Sequence, residues 1–100
     1  MDKYHVQLLS RALRDLDEIF GYIAENLQAP EAALHLAEEI QRGICSLENM
    51  PHRCPERCRG AYAGKGYRQL LIKNYTIVFR IDEAKKQVLV VTVRYSRRLF

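Results

Sequence analysis

Long apolar runs are missing from this 100-residue chain: none approaches the roughly 20 residues that a bilayer-spanning helix requires. The N-terminus, MDKYHVQLLS, lacks the apolar stretch and small-residue cleavage site of a secretory leader. Both absences lead us to expect a cytoplasmic protein. Cysteine is scarce and odd in number, being confined to Cys45, Cys54 and Cys58. An odd count argues against a disulfide framework, and in a reducing compartment the three read as free thiols. Cys54 and Cys58, with His52 nearby, fall short of a structural zinc site, because no second Cys or His pair occurs at a usual spacing. Neither a glycine-rich phosphate loop, a nucleophile elbow nor a helical metalloprotease motif is present, so no metal or cofactor is expected. Internal repeats and low-complexity segments are absent as well.

What is there fits one folded unit. With 48% apolar residues spread along the chain, disorder is excluded and residues 1–100 are expected to form a single domain around one core. Charge is divided unevenly. Residues 1–50 carry four Lys or Arg against nine Asp or Glu, a net of −5, while residues 51–100 carry twelve against three, a net of +9. The pattern changes at the same place, from helical periodicity to strand alternation. A basic sheet supported by acidic helices suits a polyanionic partner: nucleic acid, a ribosome or an acidic protein segment.

Lys3 to Leu9 alternates weakly and reads as a short first strand. With Ser10 as N-cap, Leu13, Leu16, Ile19 or Phe20, Ile23 and Leu27 recur at helical spacing, predicting a helix from Ser10 to Leu27. Gln28-Ala29-Pro30 breaks it, and Pro30 suits the first turn of a second helix. The stripe Ala33, Leu36, Ala37, Ile40, Ile44 and Leu47 carries that helix towards Asn49. So short a connection predicts an antiparallel helical hairpin. Pro51 to Lys65 has no periodicity and reads as a loop, with a short pairing segment at Ala61 to Ala63. Three strands come next, Tyr67 to Lys73, Tyr75 to Asp82 and Gln87 to Tyr95, as an antiparallel meander. Strict alternation sets Ile77, Phe79 and Ile81 against Thr76, Val78 and Arg80. It likewise sets Leu89, Val91 and Val93 against Val88, Val90, Thr92 and Arg94. The fold class is therefore α+β: a short N-terminal strand, a helical hairpin and a three-stranded meander, with one sheet face on the helices and the other bearing arginines.

The carboxylates fall on helices and read as solvated helix faces; His5 and His35 have no partner at a diagnostic spacing. The candidate chemistry lies in the basic set Lys65, Arg68, Lys73, Arg80, Arg94, Arg97 and Arg98, interleaved with Tyr62, Tyr67, Tyr75 and Tyr95. Arginine forks bind phosphate, and tyrosine stacks on bases or packs at interfaces. Such residues also assist RNA cleavage by orienting a 2′-hydroxyl and stabilising charge at phosphorus. Lys85 and Lys86 are better explained as charges that deter edge-to-edge aggregation.

In element order the chain resembles the RelE/ParE superfamily of toxins from type II toxin–antitoxin systems. The resemblance is carried by LSRALRDLDEIFGYIAENL (Leu9 to Leu27), EIQRGICSLENMP (Glu39 to Pro51), and GYRQLLIKNYTIVFRID followed by VLVVTVRYSRR. It implies a cytoplasmic growth-inhibiting toxin neutralised by a co-expressed antitoxin that wraps its surface, and the +9 net charge of residues 51–100 leads us to expect an acidic C-terminal segment on that antitoxin. The DLDEI-type first helix resembles ParE-like members, which implies DNA gyrase as the target. The alternative is a RelE-like, ribosome-dependent, metal-independent mRNA endoribonuclease, for which Arg68, Arg80, Arg94 and Tyr95 would be the catalytic set. On either reading, Lys65, Tyr67, Lys73, Tyr75, Arg97 and Arg98 would bind the target or the antitoxin. On the RelE-like pattern an arginine is expected where this chain has Thr76, and an arginine or histidine near Ser96. A third reading is a non-toxic, nucleic-acid-binding member of the same family.

Overall fold

The computed structural model describes residues 3–96. Strand β1 (His5–Leu8) turns Val6 and Leu8 inward and leaves His5 and Gln7 exposed. It runs parallel to β4 (Gln87–Tyr95), with His5 opposite Gln87 and Leu8 opposite Val90. Helix α1 spans Ser10–Gly21, and its N-cap is Leu9 rather than Ser10. The cause is that Leu9 still belongs to the sheet: its N–H donates to the Val90 carbonyl at 3.0 Å, so the chain stays extended one residue longer.

The first helix also ends earlier than its apolar stripe suggests. After Gly21 the chain widens into a π-helical turn, Tyr22–Asn26, closed by Leu27 N–H on the Tyr22 carbonyl and Ala29 N–H on the Ile23 carbonyl. One extra residue per turn shifts the stripe around the axis. Tyr22 and Leu27 are 55% and 56% exposed, although Leu27 was expected to be core. Helix α2 (Pro30–Ser46) starts with Pro30 in its first turn, where the missing N–H costs nothing. Ala33, Ile40 and Ile44 are its buried face. Just past its C-terminal end the Arg53 guanidinium donates to the carbonyls of Asn49 (2.7 Å) and Met50 (3.1 Å) in the connecting turn, and at 3.4 Å to that of Ser46, the last residue of the helix.

The remaining strands are β2 (Arg68–Ile72) and β3 (Tyr75–Asp82), and the sheet order is β1-β4-β3-β2. Tyr75, Ile77, Phe79 and Ile81 pack towards the helices with Ile40, Ile44 and Leu47. Full burial, as for Ile77, Phe79, Ile40 and Leu47, contributes about 1.5–3 kcal/mol for each side chain. The alternation expected in β4 fails at one place. Val78 pairs with Thr92 but Phe79 pairs with Val90, so Val91 is an extra residue. Such a bulge reverses which way later side chains point. Val88 and Val90 join the core before it and Val93 after it, so Leu89 and Val93 do not share a face.

Beyond Leu9 no strand covers the free edge of β4 among the described residues, and α1 does so instead. The Asp15 carboxylate accepts the Val93 N–H at 3.1 Å and also the Thr92 hydroxyl. Ala12, fully buried, belongs to the core on that side.

The segment at Ala61 to Ala63 is a turn and not a strand. Gly60, Tyr62, Gly64 and Gly66 all have positive φ, which an extended strand cannot accommodate. Pairing with β2 falls earlier in the loop, where Gln69 N–H donates to the Pro55 carbonyl and Arg57 N–H to the Tyr67 carbonyl. Among the described residues no helix is long and apolar enough to cross a membrane.

Candidate functional site

The loop that pairs with β2 folds over the sheet face opposite the helices and encloses a cleft of about 600 Å³. Its walls include Arg57, Cys58, Arg59, Gln69 and Leu71, and Thr76 and Ser96 also line it. Arg57 holds the loop in place: its Nε donates to the Ala61 carbonyl at 2.6 Å and its NH1 to Gln69 Oε1 at 2.9 Å. Arg59 is exposed and makes no hydrogen bond or ion pair among the described residues. Thr76 Oγ1 and Ser96 Oγ are hydrogen-bonded to each other at 2.9 Å. Their backbones are tied as well, with Ser96 N–H donating to the Asn74 carbonyl at 2.7 Å. Neither hydroxyl carries charge, so this part of the cleft can offer hydrogen bonds but no cation to a developing oxyanion.

The residues singled out from sequence do not converge. Arg80 and Arg94 fall on the outer-face parity of β3 and β4, whereas Arg68 and Tyr95 fall on the helix-facing parity. Arg68 is engaged in architecture: its NH1 donates to the Cys54 carbonyl at 2.6 Å and the His52 carbonyl at 3.3 Å, with Glu56 at 3.8 Å. Arg80 is exposed on β3. Arg94 turns towards α1, its Nε donating to Thr92 Oγ1 at 3.2 Å. Lys65 and Lys73 are exposed in turns, and Tyr67 stacks edge-to-face on Tyr62. Arg97 and Arg98 lie outside the described residues.

Tyr75 and Tyr95 do come together, edge-to-face with ring centroids 5.5 Å apart. With Ile19, Tyr22, Ile23 and Leu27 they line a groove of about 550 Å³ between the π turn and the sheet end. Sequence reasoning placed Tyr75 and Tyr95 at a surface but read Ile23 and Leu27 as core. The signal that would separate them, the π turn, has no periodic signature in so short a segment. Arg57 and Arg59 were missed because a loop without periodicity gives no facing.

A separate polar cluster joins the N-terminal segment to the β3–β4 turn. Glu83 accepts from the Tyr4 hydroxyl (2.6 Å) and Lys86 Nζ (2.8 Å), with His52 Nε2 at 3.0 Å. The hydrogen bonds from Lys86 and Tyr4 hold the Glu83 carboxyl below its ordinary value, and the bond to Glu83 raises the Tyr4 phenol. Burial raises the Cys54 thiol, against the pull of Arg53 and Arg68. Cys45, Cys54 and Cys58 are free thiols. Among the described residues no group of three or more His, Cys, Asp or Glu is placed to hold a metal ion.

Residues 6–100 match the family described as the ParE toxin of the type II toxin–antitoxin system parDE. No protein of curated function matches the chain. Among solved structures, one described as the chromosomal ParDE toxin–antitoxin system of P. aeruginosa superposes with a TM-score of 0.76 at 20% identity, covering 95% of this chain and 98% of that one. The RelBE2 toxin–antitoxin complex of Mycobacterium tuberculosis gives 0.66 at 22% identity, covering 95% and 93%. The intact E. coli RelBE complex gives 0.60 at 14% identity, covering 95% and 99%. At these identities the likeness shows a shared fold.

Proposed function

This chain belongs to the ParE toxin family of type II toxin–antitoxin systems, and from that premise we propose that it arrests growth by acting on DNA gyrase in the cytoplasm. The observation that carries this reading is the hydrogen-bonded Thr76–Ser96 pair. A ribonuclease of the RelE-like pattern would place cations at those two positions, to hold the scissile phosphate and stabilise its charge. Here the two positions are neutral and satisfy each other. The dispersal of Arg68, Arg80, Arg94 and Tyr95 over two sheet faces supports the same conclusion. The chain then inhibits by binding, and no covalent step is assigned to it.

The test is a cleavage-complex assay with purified gyrase and supercoiled plasmid. Linear DNA should accumulate and supercoiling should stop as the protein is added. Unchanged gyrase activity at a molar excess of protein would overturn the reading.

A second reading rests on Arg57 and Arg59, which border the same cleft and could supply charge to a bound RNA. Primer extension on messenger RNA from translating ribosomes decides it, since new cleavages within reading frames are its required product.

The partner is inferred from family and surface together. The structural neighbours include complexes of a toxin with its antitoxin. In this chain the groove at Tyr22, Tyr75 and Tyr95 offers an apolar seat for a segment of a cognate antitoxin. An acidic tail on that antitoxin would be steered by the basic second half of the chain. Lys65, Tyr67, Lys73, Arg97 and Arg98 are proposed to contact this tail or the target.

A further inference from the structure

Only four basic residues occur in the acidic first half, and two of them, Arg11 and Arg14, stand three apart at the start of α1. The placement runs against local electrostatics. No acidic residue occupies the first turn, and Arg11 there opposes the positive end of the helix dipole. Nor does packing explain it: both arginines are exposed, and neither makes a hydrogen bond or ion pair among the described residues. Asp15 and Glu18 follow them at i+4, a spacing that can offset such charges, yet neither closes an ion pair with them among the described residues, and both guanidinium groups are left exposed.

The two arginines open onto a cleft of about 260 Å³ that they share with Arg94, Asp15 and Glu18. Every lining residue is charged, so an apolar anchor would gain nothing there. The Asp15 carboxylate is already committed to the Thr92 hydroxyl and the Val93 N–H, and Thr92 in turn accepts from Arg94 Nε. Three guanidinium groups from a helix and a strand are thereby set around one small opening, with Glu18 at its margin. This cleft shares no lining residue with the one containing Thr76 and Ser96.

We propose that this arginine cleft binds the phosphodiester backbone of a nucleic acid. Arg11 and Arg14 would grip phosphate oxygens through their forks, and Arg94 would add charge from the strand side. An acidic peptide fits less well, because protein partners draw most of their affinity from apolar and aromatic anchors that this opening does not offer. Glu18 is the second negative charge in the lining and, unlike Asp15, has no structural task there, so removing it should tighten binding. The proposal needs no gyrase, and its outcome is independent of that of the target reading.

Fluorescence anisotropy tests it with the full chain, using a labelled DNA duplex of roughly 20 base pairs, a single-stranded RNA of the same length and a polyglutamate peptide. R11Q/R14Q should weaken nucleic-acid binding at least tenfold at low salt. The slope of log affinity against log salt should shrink by about 0.9 per lost contact for duplex DNA, or about 0.7 for a single strand. E18Q should shift affinity the opposite way. A loss on duplex alone, on RNA alone or on both supports the site and identifies its source of phosphate. If R11Q/R14Q keeps the wild-type affinity and slope while its circular dichroism and melting temperature are unchanged, the proposal is overturned. It is equally overturned if only polyglutamate binding depends on these arginines, or if E18Q fails to tighten binding.

Discussion

Gly43 faces β2 so closely that a Cβ there would lie 2.4 Å from Ile72 Cδ1 and 3.0 Å from Ile72 Cγ1. Gly43→Ala sets about 1–3 kcal/mol of overpacking against a gain of up to about 1 kcal/mol in helix propensity, so a modest net loss is expected, read as a lower urea midpoint. Ile72→Val removes the nearer atom, so in the double variant the two losses should sum to less than their separate values. Asp15 is a second residue whose single substitution is expected to destabilise. Its carboxylate serves the Val93 N–H and the Thr92 hydroxyl at an edge that no described strand covers. Asp15→Ala leaves both donors without that acceptor and should cost about 1–3 kcal/mol by the same measurement. Glu83 makes a prediction about pH. Its carboxyl is held below the ordinary 4.5 by Lys86 and Tyr4. The folded state thus releases this proton more readily than the unfolded state, so the stabilisation is present above pH 4.5 and is lost as pH falls through the folded value. Melting curves should show Glu83→Gln less stable than the wild type at neutral pH, with the gap closing as pH falls below 4.5.

At the scale of elements, the order of strand, helical hairpin and meander was legible because each segment keeps one period over enough residues to show it. What was not legible turned on single residues. The bulge at Val91 leaves the composition of β4 unchanged and merely reverses the facing of Thr92 to Tyr95. The π turn at Tyr22–Asn26 likewise adds one residue to a turn whose apolar positions still suit an α-helix. Both irregularities matter for the candidate surfaces. The bulge leaves Arg94 on the outer-face parity beside α1, and the π turn exposes Tyr22 at the groove beside Tyr75 and Tyr95. If that groove seats the antitoxin, Tyr22 is an aromatic anchor, and Tyr22→Ala should weaken the complex by about 5–30-fold, or 1–2 kcal/mol. Titration calorimetry with the co-encoded partner checks this. An unchanged affinity would move the contact elsewhere.

Over the whole molecule, the division of charge between the two halves draws attention to the sheet, but counting charge does not separate arginines with exposed guanidinium groups from arginines engaged in the architecture. Arg53, Arg57 and Arg68 spend their guanidinium groups on backbone carbonyls of the loop and of the α2 end. Arg59 and Arg80 keep theirs exposed. That distinction depends on loop conformation, which periodicity does not report. The Thr76–Ser96 pair shows the converse: both positions were visible in the sequence, and only the fold shows that their hydroxyls meet. This neutral pair is the observation on which the proposed gyrase reading rests.

The most direct measurement tracks the order of events after induced expression in growing cells. A DNA-damage reporter and the rate of amino-acid incorporation are recorded together, without the antitoxin. If gyrase is the target, the damage response rises first, while protein synthesis continues and reading frames remain uncut. An immediate stop in incorporation, with new cleavages in messenger RNA and no damage response, would contradict the gyrase reading.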